Sequence, residues 1–408
     1  MAKVLWLGDA GCTTGFGRVS HAIGERRGDL GHDVHALAVN YRGDYWPSKL
    51  KLYVPTMLDG RDIFGRTRII EMLGKVEPDV VVMLNDANII LQLLYENTFD
   101  PEKFLLQYRP VMTYIPVDGY NLPPAWPGIL CQVSNVVTMS KFGQGQYPGS
   151  QMVYHGVDTD EFWPVSKTRP IVTSSNRRCT TKKECKEAFG YDRDCFLILR
   201  VDKNSGRKDW PATWKALVPV MRRHHEVHAH FHTQVSEGQT GIVMNAMLSR
   251  EMDVKDRIHF PDFATSFIGW SQQDLNALYN AADLFVSTSR GEGFGLTLAE
   301  AAACGVPIVA QNVSAIPEVV GPGGVLIEPE RPITVPSGQD LWLANIQAFT
   351  EEIEHLYQSS GARRDLGKAG REHVEKSFNW DFAAARFSEY IEALASGTGT
   401  VEAGSNDA

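Results

Sequence analysis

Short apolar runs alternate with helical patterns along almost the entire chain, and this alternation restricts the possible fold more than any other feature. In the first half the apolar runs span residues 3–9, 32–40, 79–86, 110–118 and 135–140. The run DVVVMLND at 79–86 is nearly all apolar, which is typical of a parallel strand that is covered on both faces. Alternating strands and helices of this kind predict an α/β fold with a doubly wound parallel sheet.

The second half of the chain repeats the pattern. Its apolar runs span residues 195–202, 226–234, 257–263, 283–289, 307–311 and 324–329. A stretch rich in proline, serine and charged residues near 160–190 separates the two halves. Since a chain of 408 residues is long enough for two domains, we expect one domain at 1–165 and another at 170–377.

The last part of the chain carries two amphipathic helical patterns, at about 340–376 and 380–395. The residues that follow, 396–408, are small and polar. Segments of that composition bury too little apolar surface to stay ordered, so we expect a disordered tail.

Composition argues against several functional classes. A net charge of −9 and a pI near 5.8 do not suit a protein that binds nucleic acid mainly through phosphates. No apolar run reaches 18 residues, so no membrane-spanning helix is predicted, and the opening MAKVLWLGDAG resembles a first strand rather than a signal peptide. The six cysteines include no C-x-x-C pair, which favours reduced thiols in a cytoplasmic protein over a zinc site.

The segment RGEGFGLTLAEAAACGVPIVA at 290–310 places Glu292 in a glycine loop and Glu300 in the helix that follows. Open α/β sheets bind ligands at the carboxyl ends of their strands, and the run 283–289 ends at this loop. Glycines let the backbone approach a ligand closely, and a helix that begins near Leu296 offers N–H donors to an anion. The two carboxylates and the donors between them suit a nucleotide sugar, and the alternative is a solvated loop with surface glutamates.

Several segments, in the same order along the chain, resemble retaining glycosyltransferases of family 4, which have the GT-B fold. Besides the two glutamates, which resemble the family's E-x7-E motif, these segments are HGVDTDEFWP (155–164), LRVDKNSGRKDW (199–210), LNALYNAADLFVSTS (275–289), ACGVPIVAQNVSAIPEVV (303–320) and SFNWDF (377–382). The resemblance implies two Rossmann-like, doubly wound domains facing a deep cleft. It implies that the first domain binds the acceptor and the second the donor, and that the helix at 380–395 packs back on the first domain.

The resemblance also implies roles for the residues around the glutamates. Glu292 would hold hydroxyls of the donor sugar, and Glu300 would hold the ribose hydroxyls. The other donor-binding residues implied in this segment are Gly293, Phe294, Gly295 and Leu296.

Two cations in the run LRVDKNSGRKDW complete the implied donor site. Arg200 ends a strand, and Lys208 follows a glycine turn, at positions where the family holds the diphosphate. Positive charge there can neutralise the leaving phosphate as the glycosidic bond breaks. Because the loop is longer than in the family, Arg207 or Lys203 could replace Lys208, and a solvated basic loop is the alternative.

Residues from the first domain would complete the site. The run GCTTGFGRVS at 11–20 resembles the family's N-terminal glycine loop, so Gly15 or Gly17 is expected to line the cleft rather than form a plain tight turn. It is not a dinucleotide fingerprint, because no acidic residue ends the second strand. Asp118 stands near where relatives often have histidine, and a carboxylate there could orient or deprotonate an acceptor hydroxyl, unless it only forms a turn before Gly119.

No metal or cofactor is predicted. His228, His230 and His232 share one face of a strand, a spacing that can hold a metal, but packed histidines are the preferred interpretation because helices should cover that face. The predicted catalytic residues are Asp118, Glu292, Arg200 and Lys208.

The predicted function is transfer of a hexose, with retention, from a UDP- or GDP-sugar to an acceptor hydroxyl on a protein, glycan or modified nucleobase. The segments TTGFGRVS and RKDWP resemble a bacteriophage branch of the family, which implies the host cytoplasm and acceptors such as virion proteins or hypermodified bases. Two alternatives stay open: a nucleotide-sugar epimerase or isomerase on the same fold, and a non-catalytic protein that binds sugar nucleotides.

Overall fold

The computed structural model describes residues 1–55, 64–96, 110–235, 244–261 and 269–397. The chain forms two units, each built on its own parallel sheet. The first unit comprises Met1–Gly156, the turn Ser337–Gln339 and the chain from Asn379, and the second comprises Val157–Pro336 and Asp340–Phe378. The predicted boundary near 165 therefore differs from the observed one by about nine residues.

The first unit has a seven-stranded sheet, and five helices lie in the described residues of the same part of the chain. Its strands are β1 (Lys3–Asp9), β2 (Asp33–Val39), β3 (Lys51–Tyr53), β4 (Val80–Leu84), β5 (Val111–Ile115), β6 (Asn135–Thr138) and β7 (Gln151–Met152). Its helices are α1 (Gly15–Asp29), α2 (Arg68–Val76), α3 (Ala87–Glu96), α4 (Ala125–Val133) and α5 (Lys141–Gln146). The strand order is β3-β2-β1-β4-β5-β6-β7, and every neighbouring pair is parallel. Two of these strands, β3 and β7, were not expected from the sequence because they are only two or three residues long.

The second unit is built around a six-stranded sheet. Its strands are β8 (Ile171–Val172), β9 (Arg178–Cys179), β10 (Phe196–Val201), β11 (Val227–His232), β12 (Ile258–His259), β13 (Leu284–Ser287), β14 (Ile308–Gln311), β15 (Gly324–Ile327), β16 (Arg331–Thr334) and β17 (Asp340–Leu343). Its helices are α6 (Lys182–Ala188), α7 (Trp210–Arg223), α8 (Met244–Leu248), α9 (Gln272–Ala281), α10 (Leu296–Ala303), α11 (Ile316–Val320), α12 (Ile346–Gln358) and α13 (Ser360–Ser377). The sheet order is β12-β11-β10-β13-β14-β15, all parallel, while β8–β9 and β16–β17 are separate antiparallel pairs.

Alternate residues of β10 face opposite layers of helices, which is why five of its six residues are apolar. Ile198 packs with residues of α7 and α12, whereas Leu197 packs with residues of α6 and α9. A parallel strand covered on both faces is apolar at most positions, and all six residues of β10 are buried, including the charged Arg200. The prediction of two doubly wound parallel-sheet domains is confirmed.

A last helix, α14 (Trp380–Ser396), belongs to the first unit. The Phe387 ring lies 6.2 Å from that of Trp6 in β1, and Arg26 of α1 donates to Asp381 at 2.6 Å. The chain enters this helix beside Gly156, where an added Cβ would lie 2.3 Å from the Trp380 nitrogen. Glycine is needed there because any side chain would collide with the helix start.

Three expectations about the second half need correction or fall outside the description. The predicted helix at 340–376 is wrong: Asp340–Leu343 forms a strand, and two helices follow because Asn345 and Ser359 each cap a new helix start. The predicted strand at 257–263 is observed at Ile258–His259, and residues 262–263 lie outside the described residues. Of the predicted tail, Ser396 still belongs to α14, and 398–408 lie outside the description.

The helices that the structure describes include none that is both long enough and apolar enough to span a membrane.

Candidate functional site

The strand order of the second unit marks one place where a ligand can bind. β10 lies between β11 and β13, so the chain runs outward in opposite directions from β10 and β13. In open parallel sheets, ligands bind outside the carboxyl ends of the strands at such a reversal. The two loops at that position are 202–209, after β10, and 288–295, after β13, and the Arg290 nitrogen donates to the Arg207 carbonyl at 2.9 Å to join them.

Arg200, near the end of β10, lies inside the unit and not on the ligand side. Its side chain is fully buried and lies over the Trp210 ring at 4.3 Å. It donates to Asp202 at 3.1 and 3.2 Å, to Thr288 at 3.0 Å, and to Thr213 and the Lys208 carbonyl. This placement does not fit the predicted contact with a diphosphate, because the guanidinium would first have to give up the bonds that hold the two loops.

Arg207 and Lys208 are the two cations that the structure brings to Glu292. Lys208 lies 2.5 Å from Oε1 of Glu292 and 2.6 Å from Oδ1 of Asp202. Arg207 lies 3.1 Å from Oε2 of Glu292 and also donates to the Gly291 carbonyl. The structure thus brings Lys208, one of the two cations predicted for the diphosphate, to Glu292, together with Arg207, which was named as a possible replacement for Lys208.

The Glu292 carboxylate is buried and ionised. Burial alone would raise its pKa, but the charges of Lys208 and Arg207 outweigh that effect and lower the pKa to about 2. Its backbone nitrogen donates to Ser314 at 2.8 Å, which fixes the loop against the end of β14. At neutral pH this glutamate is therefore an acceptor only.

The ionic network around Glu292 carries excess positive charge. Its cations are Arg200, Arg207, Lys208 and Arg290, and its carboxylates are Asp202, Asp209 and Glu292. Among the ion pairs of the residues that the structure describes, four cations face three carboxylates, a net charge of +1 that can attract an additional anion.

The loop between the two glutamates changes direction at Gly295. This residue has φ of 110°, in the region that favours glycine, and it caps α10. Gly293 and Phe294 are buried, and the Phe294 ring lies 5.1 Å from Phe378. Leu296 begins α10, and the N-cap residue, Gly295, provides no side-chain hydrogen bond to its first turn, so this helix start can bind an anion.

Glu300 lies on the second turn of α10 and is almost fully buried. The Tyr279 hydroxyl, on α9, donates to its Oε2 at 2.7 Å. The structure thus separates the two glutamates by environment: Glu292 binds cations, whereas Glu300 accepts a neutral hydroxyl.

In the first unit, Gly15 and Gly17 lie in the first turn of α1 and not in the preceding loop. Gly15 is exposed, whereas Gly17 is buried, and a Cβ on it would lie 2.5 Å from the Cys12 carbonyl. Gly17 therefore serves close packing, and Gly15 is the one that a ligand can approach. Before this turn, Asp9 at the end of β1 accepts from Thr14 at 2.5 Å and from Asn40 at 3.0 Å.

Asp118 follows β5 and is half-buried. Gln339, from the turn that belongs to the first unit, donates to its Oδ1 at 3.4 Å. The carboxylate therefore stands at the carboxyl edge of the first sheet, where the sequence placed it, with an amide beside it.

Comparison with known proteins links the second unit to a family. Residues 215–359 match the family described as glycosyl transferases group 1. The matched segment contains Glu292 and Glu300, and it begins shortly after the loop that carries Lys208.

Two curated relatives are glycosyltransferases by name. MMP alpha-(1->4)-mannosyltransferase of Mycolicibacterium hassiacum is 34% identical over 149 residues, which is 36% of this chain and 32% of that protein. The GDP-mannose-dependent monoacylated alpha-(1-6)-phosphatidylinositol monomannoside mannosyltransferase of Corynebacterium glutamicum is 30% identical over 258 residues, or 61% and 58% of the two chains. The chain thus spans about a third of the first relative and somewhat over half of the second.

The fold is similar to that of solved glycosyltransferase structures. One is the structure of HepE from Anabaena in complex with UDP-glucose, with a TM-score of 0.68 and 16% identity over 97% of this chain and all of that one. Another is a glycosyltransferase from Rickettsia africae, with a TM-score of 0.69, 16% identity and coverage of 96% and 98%. The predicted GT-B fold is confirmed.

Several residues of the candidate site were missed in the sequence. Asp202 stands two residues after Arg200, where a strand places side chains on one face, and this spacing could have identified it as a partner. Ser314 and Tyr279 lie 22 and 21 residues from the glutamates that they contact, and no local pattern predicts such pairs.

The histidines of β11 form ring contacts with neighbouring side chains. His228 lies 3.0 Å from His259, and His230 is bonded to the Tyr191 hydroxyl. Burial lowers the pKa of His230 well below its ordinary value. In the described part of the chain, no group of three or more His, Cys, Asp or Glu side chains is placed to hold a metal ion.

Proposed function

We propose that the protein is a retaining glycosyltransferase that moves a sugar from a nucleotide-diphosphate sugar to an acceptor hydroxyl. The observation that carries this proposal is the group formed by Arg207, Lys208 and Glu292 at the reversal of the second sheet. The two cations can bind the donor's diphosphate, and the ionised carboxylate can accept hydrogen bonds from its sugar hydroxyls.

The donor is proposed to bind with its diphosphate at Arg207, Lys208 and the start of α10. Glu292 accepts from hydroxyls of the sugar, and Glu300, which Tyr279 already holds, accepts from a ribose hydroxyl. The names of two similar proteins support a nucleotide donor, since one is GDP-mannose-dependent and the other was solved with UDP-glucose.

The proposed reaction is a same-face displacement at the anomeric carbon. The acceptor oxygen forms the new glycosidic bond while the bond to the phosphate oxygen breaks, and its electron pair leaves with the nucleoside diphosphate. The acceptor proton passes to the departing phosphate oxygen. Arg207 and Lys208 stabilise the negative charge that develops on that phosphate, and Asp118 orients the acceptor hydroxyl.

We further propose that the reaction needs no metal ion and proceeds in the cytoplasm, which is the host's cytoplasm if the chain is viral. The two cations supply the charge that a divalent ion would supply in other transferases. The acceptor is proposed to be a hydroxyl of a protein, glycan or modified nucleobase.

Mass spectrometry with a panel of UDP-, GDP- and ADP-sugars tests the function. We expect turnover to release one nucleoside diphosphate and to continue in the presence of EDTA. An α-linked donor should give an α-linked product. An epimerised donor with no free nucleoside diphosphate would identify an epimerase instead. Donor binding without any turnover across a panel of acceptors would identify a binding protein.

A further inference from the structure

Both cations of the proposed diphosphate site are already occupied by a carboxylate of the protein. Lys208 contacts Glu292 at 2.5 Å, and Arg207 contacts the other oxygen of the same carboxylate at 3.1 Å. Only 8% of the Glu292 side chain and 12% of the Lys208 side chain are exposed. Ion pairs this sheltered from water are screened much less than surface pairs.

The other partner of Lys208 is not free to exchange. Oδ2 of Asp202 accepts two bonds from the buried Arg200 guanidinium, while Oδ1 contacts Lys208 at 2.6 Å. Asp202 therefore keeps Lys208 in place when other ligands change. Glu292, by contrast, lies in a loop that begins after β13 and ends at Gly295, so its contacts with the two cations are the ones that a ligand can replace.

A diphosphate and the Glu292 carboxylate compete for the same charges. When a diphosphate binds Arg207 and Lys208, Glu292 loses its two cationic partners and faces a second anion, which is costly for a buried carboxylate. An intact donor offsets this cost because its sugar hydroxyls can donate to Glu292. A nucleoside diphosphate without the sugar has no such hydroxyls at that position.

We propose that Glu292 is an internal competitor of the product: it lowers affinity for the nucleoside diphosphate while favouring the intact donor, and so promotes product release. This inference rests on the proposed function. In this proposal Glu292 has two roles. It makes the site bind the intact donor more tightly than the product, and it pairs again with Arg207 and Lys208 when the product leaves.

Calorimetry with UDP and GDP on the full chain tests the inference. Glu292→Gln keeps the size of the side chain and removes its charge, so we expect the Kd of whichever diphosphate binds the wild type to fall about tenfold, which is the typical size of a charge-assisted bond. The surface variant Glu372→Gln, on α13, removes the same charge away from the cations, and we expect no change in Kd.

A variant that lacks one of the two cations shows whether the lower Kd of Glu292→Gln depends on them. In Lys208→Met, adding Glu292→Gln is expected to lower the Kd by a smaller factor than in the wild type, because Glu292 then competes for Arg207 alone. If thermal unfolding shows that Lys208→Met is not folded, Arg207→Gln replaces it.

Two outcomes separate the inference from the function on which it rests. If the wild type binds a nucleoside diphosphate and Glu292→Gln binds it equally well or more weakly, Glu292 is not a competitor and the inference fails alone. If neither UDP nor GDP binds the wild type or any variant, the proposed donor site itself is wrong.

Discussion

The carboxyl edges of the two sheets differ in the kind of partner that holds their acidic residues. In the second unit, Asp202 and Glu292 are paired with arginine and lysine. In the first unit, Asp9 accepts from Thr14 and Asn40, and Asp118 accepts from Gln339. Among the contacts that the structure describes, those of Asp202 and Glu292 involve cations that a phosphate could also bind, whereas those of Asp9 and Asp118 involve one hydroxyl and two amides. We propose that this difference corresponds to donor binding by the second unit and acceptor binding by the first.

The largest expected effect would separate structure from binding within the second unit. Arg200→Met leaves the buried Asp202 without its main partner, so we expect the free energy of unfolding to fall by about 3–5 kcal/mol. Arg207→Met affects a side chain that is 30% exposed and should cost only about 1 kcal/mol. Urea denaturation measures both, and equal losses would show that Arg200 has no special structural role.

The next effect concerns the excess positive charge of the ionic network around Glu292. Lys208→Met should lower kcat/KM for the donor by about a hundredfold to a thousandfold, because the charge on the leaving phosphate is no longer neutralised. Lys203→Met, an exposed position in the same loop, is the matched control and should keep wild-type turnover. A similar loss in the control would move the phosphate contact to Lys203.

A smaller effect tests whether the first unit acts on the acceptor. Asp118→Asn should lower kcat by about tenfold to a hundredfold, since a neutral amide accepts the hydrogen bond of the acceptor hydroxyl more weakly than a carboxylate and orients it less firmly. The Kd for the nucleoside diphosphate should stay unchanged, because its proposed ligands lie in the second unit. An unchanged kcat would leave Asp118 as a turn residue, and a weakened Kd would break the division between the units.

The smallest expected effect is a difference between the two units in how their stability changes at acidic pH. Burial lowers the pKa of His155 to about 3, so below an unfolded-state pKa of about 6.5 the folded state binds fewer protons than the unfolded state. Stability should therefore fall as the pH decreases from about 6.5 towards 3, with His155 contributing about 1.4 kcal/mol by pH 5.5.

The variant His155→Phe keeps an aromatic ring against Trp380, whose ring lies 5.6 Å away. It should reduce the acid-induced rise in hydrogen exchange for peptides of β5 and leave peptides of β11, which contains His230, unaffected. An equal change in both sets of peptides would mean that the two units unfold together.

The sequence predicts the sheets better than it predicts the side-chain partners. Runs such as 79–86 had to be strands because they are apolar at almost every position, and the structure has Val80–Leu84 there. The role of Arg200 could not be predicted in the same way, because being next to a ligand loop in sequence does not show which side of the strand a residue faces. Its burial follows from Trp210 and Thr288, and Thr288 lies 88 residues further along the chain.

The two glutamates also show that the sequence does not predict side-chain partners. Their motif resembles that of retaining glycosyltransferases of family 4 and led to the proposed donor, yet the pairing of Glu292 with Arg207 depends on two loops that meet only when β10 and β13 are neighbours. The error at 340–376 has a local cause: two caps, at Asn345 and Ser359, interrupt a pattern that otherwise reads as one amphipathic helix.

Helix α14 has a consequence for synthesis on the ribosome. The first unit contains β1 from one part of the chain and α14 from another, and Trp6, Tyr114 and His155 all pack against rings of that helix. At about 5–20 residues per second, translation of the second unit takes roughly ten to forty seconds, during which these three side chains have no helix to cover them. Until α14 has been synthesised, the nascent first unit exposes the apolar surface formed by these three side chains. A chaperone would bind that surface during this interval.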